Sequence, residues 1–433
     1  MNTTSSISAP LKSNFGDLRW WEKTYMVILM IWTIGSSGSP VFIRSADALL
    51  VGFVFFSLLG INYWRRNIHL YLRNAFFFGL ILLLHYLYFG SFYLNTAILQ
   101  ILVLLQAVFT VAIIGTHFIE VYLRVMFVIA IISLVFFVPI LVYPPALGII
   151  LSASPIKITM ATEVYGWEQV SQNILIMNFN STFEGLRRNS GPFWEPAVYS
   201  SFLLIALVLS TLQSRSVFSK RSIVFLLATL STFSTTAYLA TGFFVFLYYL
   251  LVYKDPVFRL ISLVSFFIIS IIIYFNVEFL GKKIENEIKS VKFDALYQGG
   301  NSRISSAYLD FIELGERPFY VMFGRGAHPE YRYGTEDKQV LRINGITDQM
   351  SRWGVFFFLF FFYNVKRSTE AIARYYGFKR TIGILFFVTI LISAFSEVLF
   401  QFGFFWTFFY LYVVYEGLGQ ESPEQFSPIA QPA

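Results

Sequence analysis

Apolar runs of bilayer-spanning length alternate with short polar punctuation along the chain, and two long polar loops interrupt the alternation. A run that covers ~30 Å of hydrocarbon at ~1.5 Å per residue predicts a transmembrane helix. Such runs lie at Tyr25 to Ile43, Ala46 to Trp64, Ala75 to Leu94, Ala97 to Gly115 and Val121 to Tyr143. Pro144-Pro145 then opens a polar, turn-rich loop that ends at Glu195, and Pro196 to Leu212 forms the next span. As one helix, Ser222 to Tyr253 would overshoot a bilayer, so it divides at the polar Ser231 to Thr241 region, into Ser222 to Thr241 and Gly242 to Tyr253. Phe258 to Leu280 precedes the second polar loop, Gly281 to Met350, and the last spans are Trp353 to Val365, Thr381 to Phe395 and Phe402 to Tyr415. The pattern predicts an all-α polytopic membrane protein of about twelve spans. Its parts are a tail (1–23), the first spans (24–143), a large loop (144–195), the middle spans (196–280), a second large loop (281–350), the last spans (351–415) and a polar tail (416–433).

Composition agrees with this. At 56% hydrophobic and 13% charged residues, with a mean hydropathy of +0.64, the chain is too apolar for a soluble protein of its length. It carries no cysteine, which excludes disulfides, thiolate metal sites and thiol nucleophiles. The formal charge of +7 becomes informative once its cations are placed by side, because short cytoplasmic loops concentrate Lys and Arg. A cytoplasmic N-terminus puts the basic residues of the first tail and of nearly every short loop inside, and leaves Arg44 in a short outer loop. The basic residues thus report orientation and not nucleic-acid binding. Both termini fall in the cytoplasm and both large loops outside it. Met1 to Lys23 lacks the apolar core and cleavage site of a secretory signal.

Candidate chemistry collects where the first loop re-enters the membrane, at Arg187-Arg188-Asn189-Ser190-Gly191-Pro192-Phe193-Trp194-Glu195-Pro196. Pro196 suits the first turn of a helix, and Glu195 then lies beside its positive end. The plainer alternative is that these arginines are interfacial anchors, as cations flanking a membrane helix usually are. In the second loop, Gly281 to Ala295 carries the stripe of an amphipathic helix lying on the outer membrane surface. Ser302 to Leu314 predicts another helix, capped by Asn301 or Ser302, with Ile304, Tyr308 and Phe311 on one face and a stop at Gly315 and Pro318. Gly324-Arg325-Gly326 predicts a tight turn that presents Arg325. Glu397, with Ser393 and Gln401 four residues to either side on the same helical face, is either an intramembrane functional carboxylate or a turn cap just outside the bilayer. His85, Gln100 and Gln106 read as interhelical hydrogen-bonding groups.

Taken in order, these segments resemble the O-antigen polymerase (Wzy type) and O-antigen ligase superfamily of membrane glycosyltransferases. Arg188 through Pro196 is similar to its R-x-x-G-x-F-x-E-P segment, and Leu230 through Ala237 to its T-x-S-R-T-G span end. Asn301-Ser302-Arg303, continuing through Pro318 to Gly324-Arg325-Gly326, is similar to its R-x-x-x-W … P-x-x-G-x-G outer loop. Asn344 through Gly354 stands where members often carry H-N-x-x-L … G. The chain departs from the family at Asn344, where many ligases have a histidine, and after Ser234, where no arginine follows. His328 is out of register with the family's histidine.

The resemblance implies a C-class glycosyltransferase-like fold in the bacterial cytoplasmic membrane. Its donor would be an oligosaccharide repeat on undecaprenyl diphosphate, its acceptor another lipid-linked chain on the periplasmic face, and its further partners a chain-length regulator and a flippase. Departure of the lipid diphosphate develops negative charge that preorganised cations stabilise, and arginine suits phosphate better than lysine. Arg188 and Arg303 are then the expected catalytic cations, with Arg187, Arg325 and Arg352 binding the diphosphate. Glu195 is the expected base for the acceptor hydroxyl, with Asp348 and Glu397 as secondary candidates. The outer-loop grouping of carboxylates with histidine, His328 to Asp337, is too loose for a metal, and no cofactor is expected. The alternatives are a ligase that moves a finished glycan to another acceptor, a lipid-linked-sugar transporter and a scaffolding protein. A transporter would place several ionisable groups within its spans.

Overall fold

The structure is a computed structural model that describes residues 15–39, 46–59, 61–90, 93–154, 158–164, 167–174, 176–179, 182–183, 186–253, 255–257, 259–260, 264, 285, 302–328, 331 and 343–418. Most of the expected ninth span, the Gly281 to Ala295 helix, Asn301, Asp337 and most of both tails lie outside these residues. Helices α1 (Trp20–Ser36), α2 (Ala46–Leu59), α3 (Ile61–Phe89), α4 (Leu94–Ile114), α5 (Phe118–Val142) and α6 (Ala146–Ala153) precede the first loop. After it come α7 (Pro196–Ser214), α8 (Lys220–Ser231) and α9 (Thr235–Val252). The second loop holds α10 (Arg303–Gly315) and α11 (Pro318–Phe323), followed by α12 (Gly345–Tyr375), α13 (Arg380–Ser396) and α14 (Gly403–Leu418). By length and composition, α7, α9 and the stretch Leu94–Val142, which contains α4 and α5, are able to cross a membrane, and Phe76–Phe89 and α13 are shorter apolar helices. The molecule is a predominantly helical membrane protein.

Helix α7 is the hub. Every residue from Pro196 to Leu212 is buried, so this helix is apolar all round because it meets protein on all sides. It packs against α5, α8, α9 and α13, while α12 packs against α13 and α14, and α14 against α4. Tyr122 of α5 donates to the Phe202 carbonyl at 2.7 Å, and the Phe202 ring lies 4.7 Å from Phe404 of α14.

Several expected boundaries move, each for a physical reason. The stretch from Ser222 to Tyr253 breaks at Thr232–Ser234, inside the polar region where a division is expected but ahead of the boundary at Thr241: Phe233 takes a left-handed φ of 46°, and the Ser234 hydroxyl caps α9 by accepting from Ala237 N–H. Helix α8 is therefore 12 residues long, ~18 Å, short of the full bilayer thickness. The first loop also corrects the all-α expectation. Strands β1 (Ile158–Val164), β2 (Trp167–Ile174) and β3 (Met177–Asn178) form one antiparallel sheet, and β4 (Thr182–Phe183) pairs with β5 (Leu186–Arg187). Hairpins this short carry no long apolar run and so leave no mark on the hydropathy pattern. Helix α12 continues past Val365 because its cations have carboxylate partners, Lys366 with Glu370 at 2.7 Å and Arg367 with Glu416 at 2.7 Å. Helix α1 begins at Trp20, inside the segment assigned to the tail.

Contacts divide the bundle into two ends. At one, the Arg124 guanidinium lies 4.4 Å from the Phe15 ring, Tyr415 donates to the Thr116 carbonyl at 3.2 Å, and Arg215 donates to the Tyr376 carbonyl at 3.0 Å. At the other, Trp194 N–H donates to the Gly38 carbonyl at 3.0 Å, and its ring meets Phe402 at 5.1 Å. Basic residues that the charge pattern assigned to a single side thus meet at one end, and the described parts of the large loops meet at the other.

Candidate functional site

The loop end is built first by Arg187 to Pro196. The side-chain amide of Asn178 donates to the carbonyls of Phe193 and Trp194, both at 3.0 Å, and Gly191 turns the chain with a φ of 52°. Arg188 and Asn189 then close the C-terminus of α8: Asn189 N–H donates to the Ser231 carbonyl at 3.0 Å and Arg188 Nε to the Thr232 carbonyl at 3.1 Å. Carbonyls that a helix end leaves orphaned are thereby satisfied by this loop. Glu195 is the N-cap of α7, with Pro196 in the first turn, as expected. Its side chain makes no capping hydrogen bond.

Arg188 is not a snorkelling anchor, because it is 9% exposed. Burial lowers its pKa. The carboxylates of Glu195 and Glu397 and the Tyr238 hydroxyl offset part of that effect, and the Arg303 guanidinium adds to it. Residues from the first loop, α9, the start of α10 and the end of α13 therefore share one electrostatic site. Among the described residues, Arg188 has no carboxylate within 4 Å, and its Nη groups make no hydrogen bond.

The second loop meets α12 where α12 breaks. Gly354 has a φ of 78° and a ψ of 169°, so the ladder of helical hydrogen bonds stops there. The Ser351 and Arg352 carbonyls instead accept from the N–H groups of Arg325 at 2.7 Å and Gly326 at 3.0 Å. Gly324 and Gly326, with φ of 77° and 87°, permit this approach. A side chain at Gly324 would overlap the Arg352 backbone. His85 of α3 meets the Phe323 carbonyl at 2.8 Å, and Gln106 of α4 donates to Ser36 of α1 at 2.6 Å, so both act as interhelical groups.

The expected site residues separate into three groups. Arg303, Glu195 and Glu397 all lie within electrostatic reach of Arg188. Asp348 and Arg352 form a pair at 2.7 Å, to which Gln401 adds a hydrogen bond of 3.2 Å on Asp348, so neither is a solitary charge. Arg187 donates to the Phe179 carbonyl at 3.2 Å, within its own loop, and Arg325 meets Glu316 at 3.4 Å. The predicted shared face of Glu397 and Gln401 does not exist. Helix α13 ends at Ser396, and Glu397 has extended backbone, φ −146° and ψ 143°. The sequence reading also passed over Asp310 and Glu313, which are fully buried. Thr347 donates to Asp310 at 2.6 Å and Ser351 to Glu313 at 3.2 Å. Their signal was available, since both lie off the Ile304, Tyr308 and Phe311 stripe. Among the described residues, no group of His, Asp and Glu is placed to hold a metal ion.

No protein family, no curated protein and no solved structure matches this chain.

Proposed function

We propose that the chain is a polysaccharide polymerase that joins undecaprenyl-diphosphate-linked repeat units into a surface polysaccharide, O-antigen or a related polymer. It would work on the periplasmic face of the bacterial cytoplasmic membrane, with about twelve spans and both termini inside. One observation carries the reading: Arg188, buried and without an ion pair, lies within electrostatic reach of Arg303, Glu195 and Glu397 at the loop end. A buried guanidinium within electrostatic reach of a second one favours an anion beside it, and a diphosphate carries the charge and the oxygens to meet guanidinium forks.

In this reaction the acceptor hydroxyl attacks the anomeric carbon of the donor sugar. The new C–O bond forms as the bond from that carbon to the diphosphate oxygen breaks, and its electron pair leaves on the lipid diphosphate. Glu195 takes the hydroxyl proton, and Arg188 and Arg303 stabilise the departing charge. A ligase that depends on a histidine is disfavoured by Asn344, whose side chain caps α12 by accepting from Ile346 and Thr347 N–H. The test is incubation of the purified protein with lipid-diphosphate-linked repeat units, resolved on a gel. A ladder is the expected product. Single transfer to another acceptor would indicate a ligase, and unchanged substrate would overturn the enzymatic reading.

A further inference from the structure

Helix α10 is built inside out. It buries Ser305, Ser306, Asp310 and Glu313 together with Leu309 and Leu314, and exposes Ile304 at 40%, Tyr308 at 39% and Phe311 at 57%. In water this arrangement is unfavourable on both faces, since apolar surface stays hydrated while carboxylates lose their hydration. With hydrocarbon outside and α12 inside, each face is where it is stable: the acids meet the hydroxyls of Thr347 and Ser351, and the apolar stripe meets lipid.

A second observation identifies what covers the stripe. Both α10 and α11 pack on α12, and α11 also packs on α3, where the Tyr88 ring stacks on Phe319 at 3.8 Å. Helices α12 and α3 themselves expose large apolar side chains, Phe356 at 63% and Leu359 at 58% on the first, Leu83 at 50% and Leu87 at 69% on the second. Val321 and Met322 of α11 are exposed at 40% and 42%, so the exposed apolar side chains of α12 and α3 are joined by those of the loop helices that pack on them. That continuity selects acyl chains over a second copy of the protein as the occupant.

We propose that α10 and α11 are seated in the bilayer, with Ile304, Tyr308, Phe311 and Met322 against lipid acyl chains. The second loop then forms an in-membrane wall beside the Arg188 and Arg303 site instead of a water-washed cap. This follows from the membrane class alone and does not depend on the chemistry proposed above.

The absence of cysteine makes the test direct. Ile304→Cys, Tyr308→Cys, Phe311→Cys and Met322→Cys, each in the full-length chain, are nitroxide-labelled and reconstituted in phosphatidylethanolamine–phosphatidylglycerol vesicles. Lys220→Cys, at an exposed position of the basic end, serves as the reference for water. Molecular oxygen is expected to relax the labels at the loop-helix positions more strongly than a water-soluble nickel chelate, with the opposite order at residue 220. Three results would each overturn the proposal. Dominance of nickel would place the stripe in water, low collision with both reagents would place it under protein, and dipolar broadening between labels would place it against a second copy.

Discussion

The ion-paired cations at the basic end of the helical bundle and Arg188 at the loop end are held in different ways, although the loop end also contains matched pairs in Asp348–Arg352 and Arg325–Glu316. At the basic end, cations are matched with carboxylates: Arg367 and Arg374 meet Glu416 at 2.7 and 3.6 Å, and Glu370 sits between Lys366 at 2.7 Å and Arg380 at 2.9 Å. Burial pushes the Glu370 carboxyl up, but its two cationic partners more than reverse this, so its pKa falls below the usual carboxylate range. At the loop end, Arg188 rests on a backbone carbonyl, and its field includes the carboxylates of Glu195 and Glu397 and, with a smaller effect, a second guanidinium. Matched charges hold a shape. A buried cation with no carboxylate in direct contact, near a like charge, has its guanidinium Nη groups open to the anion proposed above, and perturbed groups of this kind concentrate at functional sites.

The sharpest way to break this comparison is to remove a cation at each end. Arg188→Ala and Arg303→Ala should each lower chain extension by ~100-fold or more on the gel assay, with the protein still inserted. Arg367→Ala should leave extension near the wild-type rate, and a comparable loss there would erase the distinction. Arg188→Lys should recover part of the rate; full recovery would rule out a bidentate contact.

Next in size, Glu195→Gln should slow extension by ~100-fold, the lower range for loss of a general base. Turnover at the wild-type rate would leave Glu195 as a helix start and nothing more. Inorganic pyrophosphate in excess of its Kd should raise the melting temperature of the wild type, because a ligand that binds the folded state stabilises it by ~2.7 kcal/mol at a hundredfold excess. The same addition to Arg188→Ala should give no shift, and an equal shift in both proteins would place the anion elsewhere.

Gly354→Ala should lower the melting temperature by the equivalent of ~1–3 kcal/mol, since its φ is 78° and a Cβ there would overlap the Met322 carbonyl. An unchanged transition would show that α12 can heal its break. Glu416→Gln should have the smallest effect, ~1 kcal/mol or less in thermal unfolding, because the pair with Arg367 is partly exposed and screened by solvent.

Much of this architecture was legible from local pattern. The cap at Ser302, the helix start at Glu195-Pro196, the stop at Gly315 and Pro318 and the turn at Gly324-Arg325-Gly326 depend on a few neighbouring residues and stand where the sequence places them, although the turn buries Arg325 against Glu316 and does not present it. The break at Phe233 falls in the polar region expected to hold it, Ser231 to Thr241, but earlier than the boundary at Thr241. A β-favouring residue in a left-handed conformation is set by what surrounds it, here the loop that closes α8 through Arg188 and Asn189. The kink at Gly354 escaped notice for the same reason, because it is held by carbonyl contacts with residues near 325 in another loop.

Hydropathy, charge distribution and capping residues are properties of neighbours in the chain, and by themselves they determined the membrane class, most helices and which cations belong to one end. Tertiary structure decided which charges meet. Arg188 and Arg303 are more than a hundred residues apart, and nothing local orders their approach. It also decided which face of α10 is hidden, since burial of Asp310 and Glu313 depends on hydroxyls that α12 supplies. A helical stripe states that two faces differ, and only the neighbouring solvent, protein or lipid determines which of them turns inward.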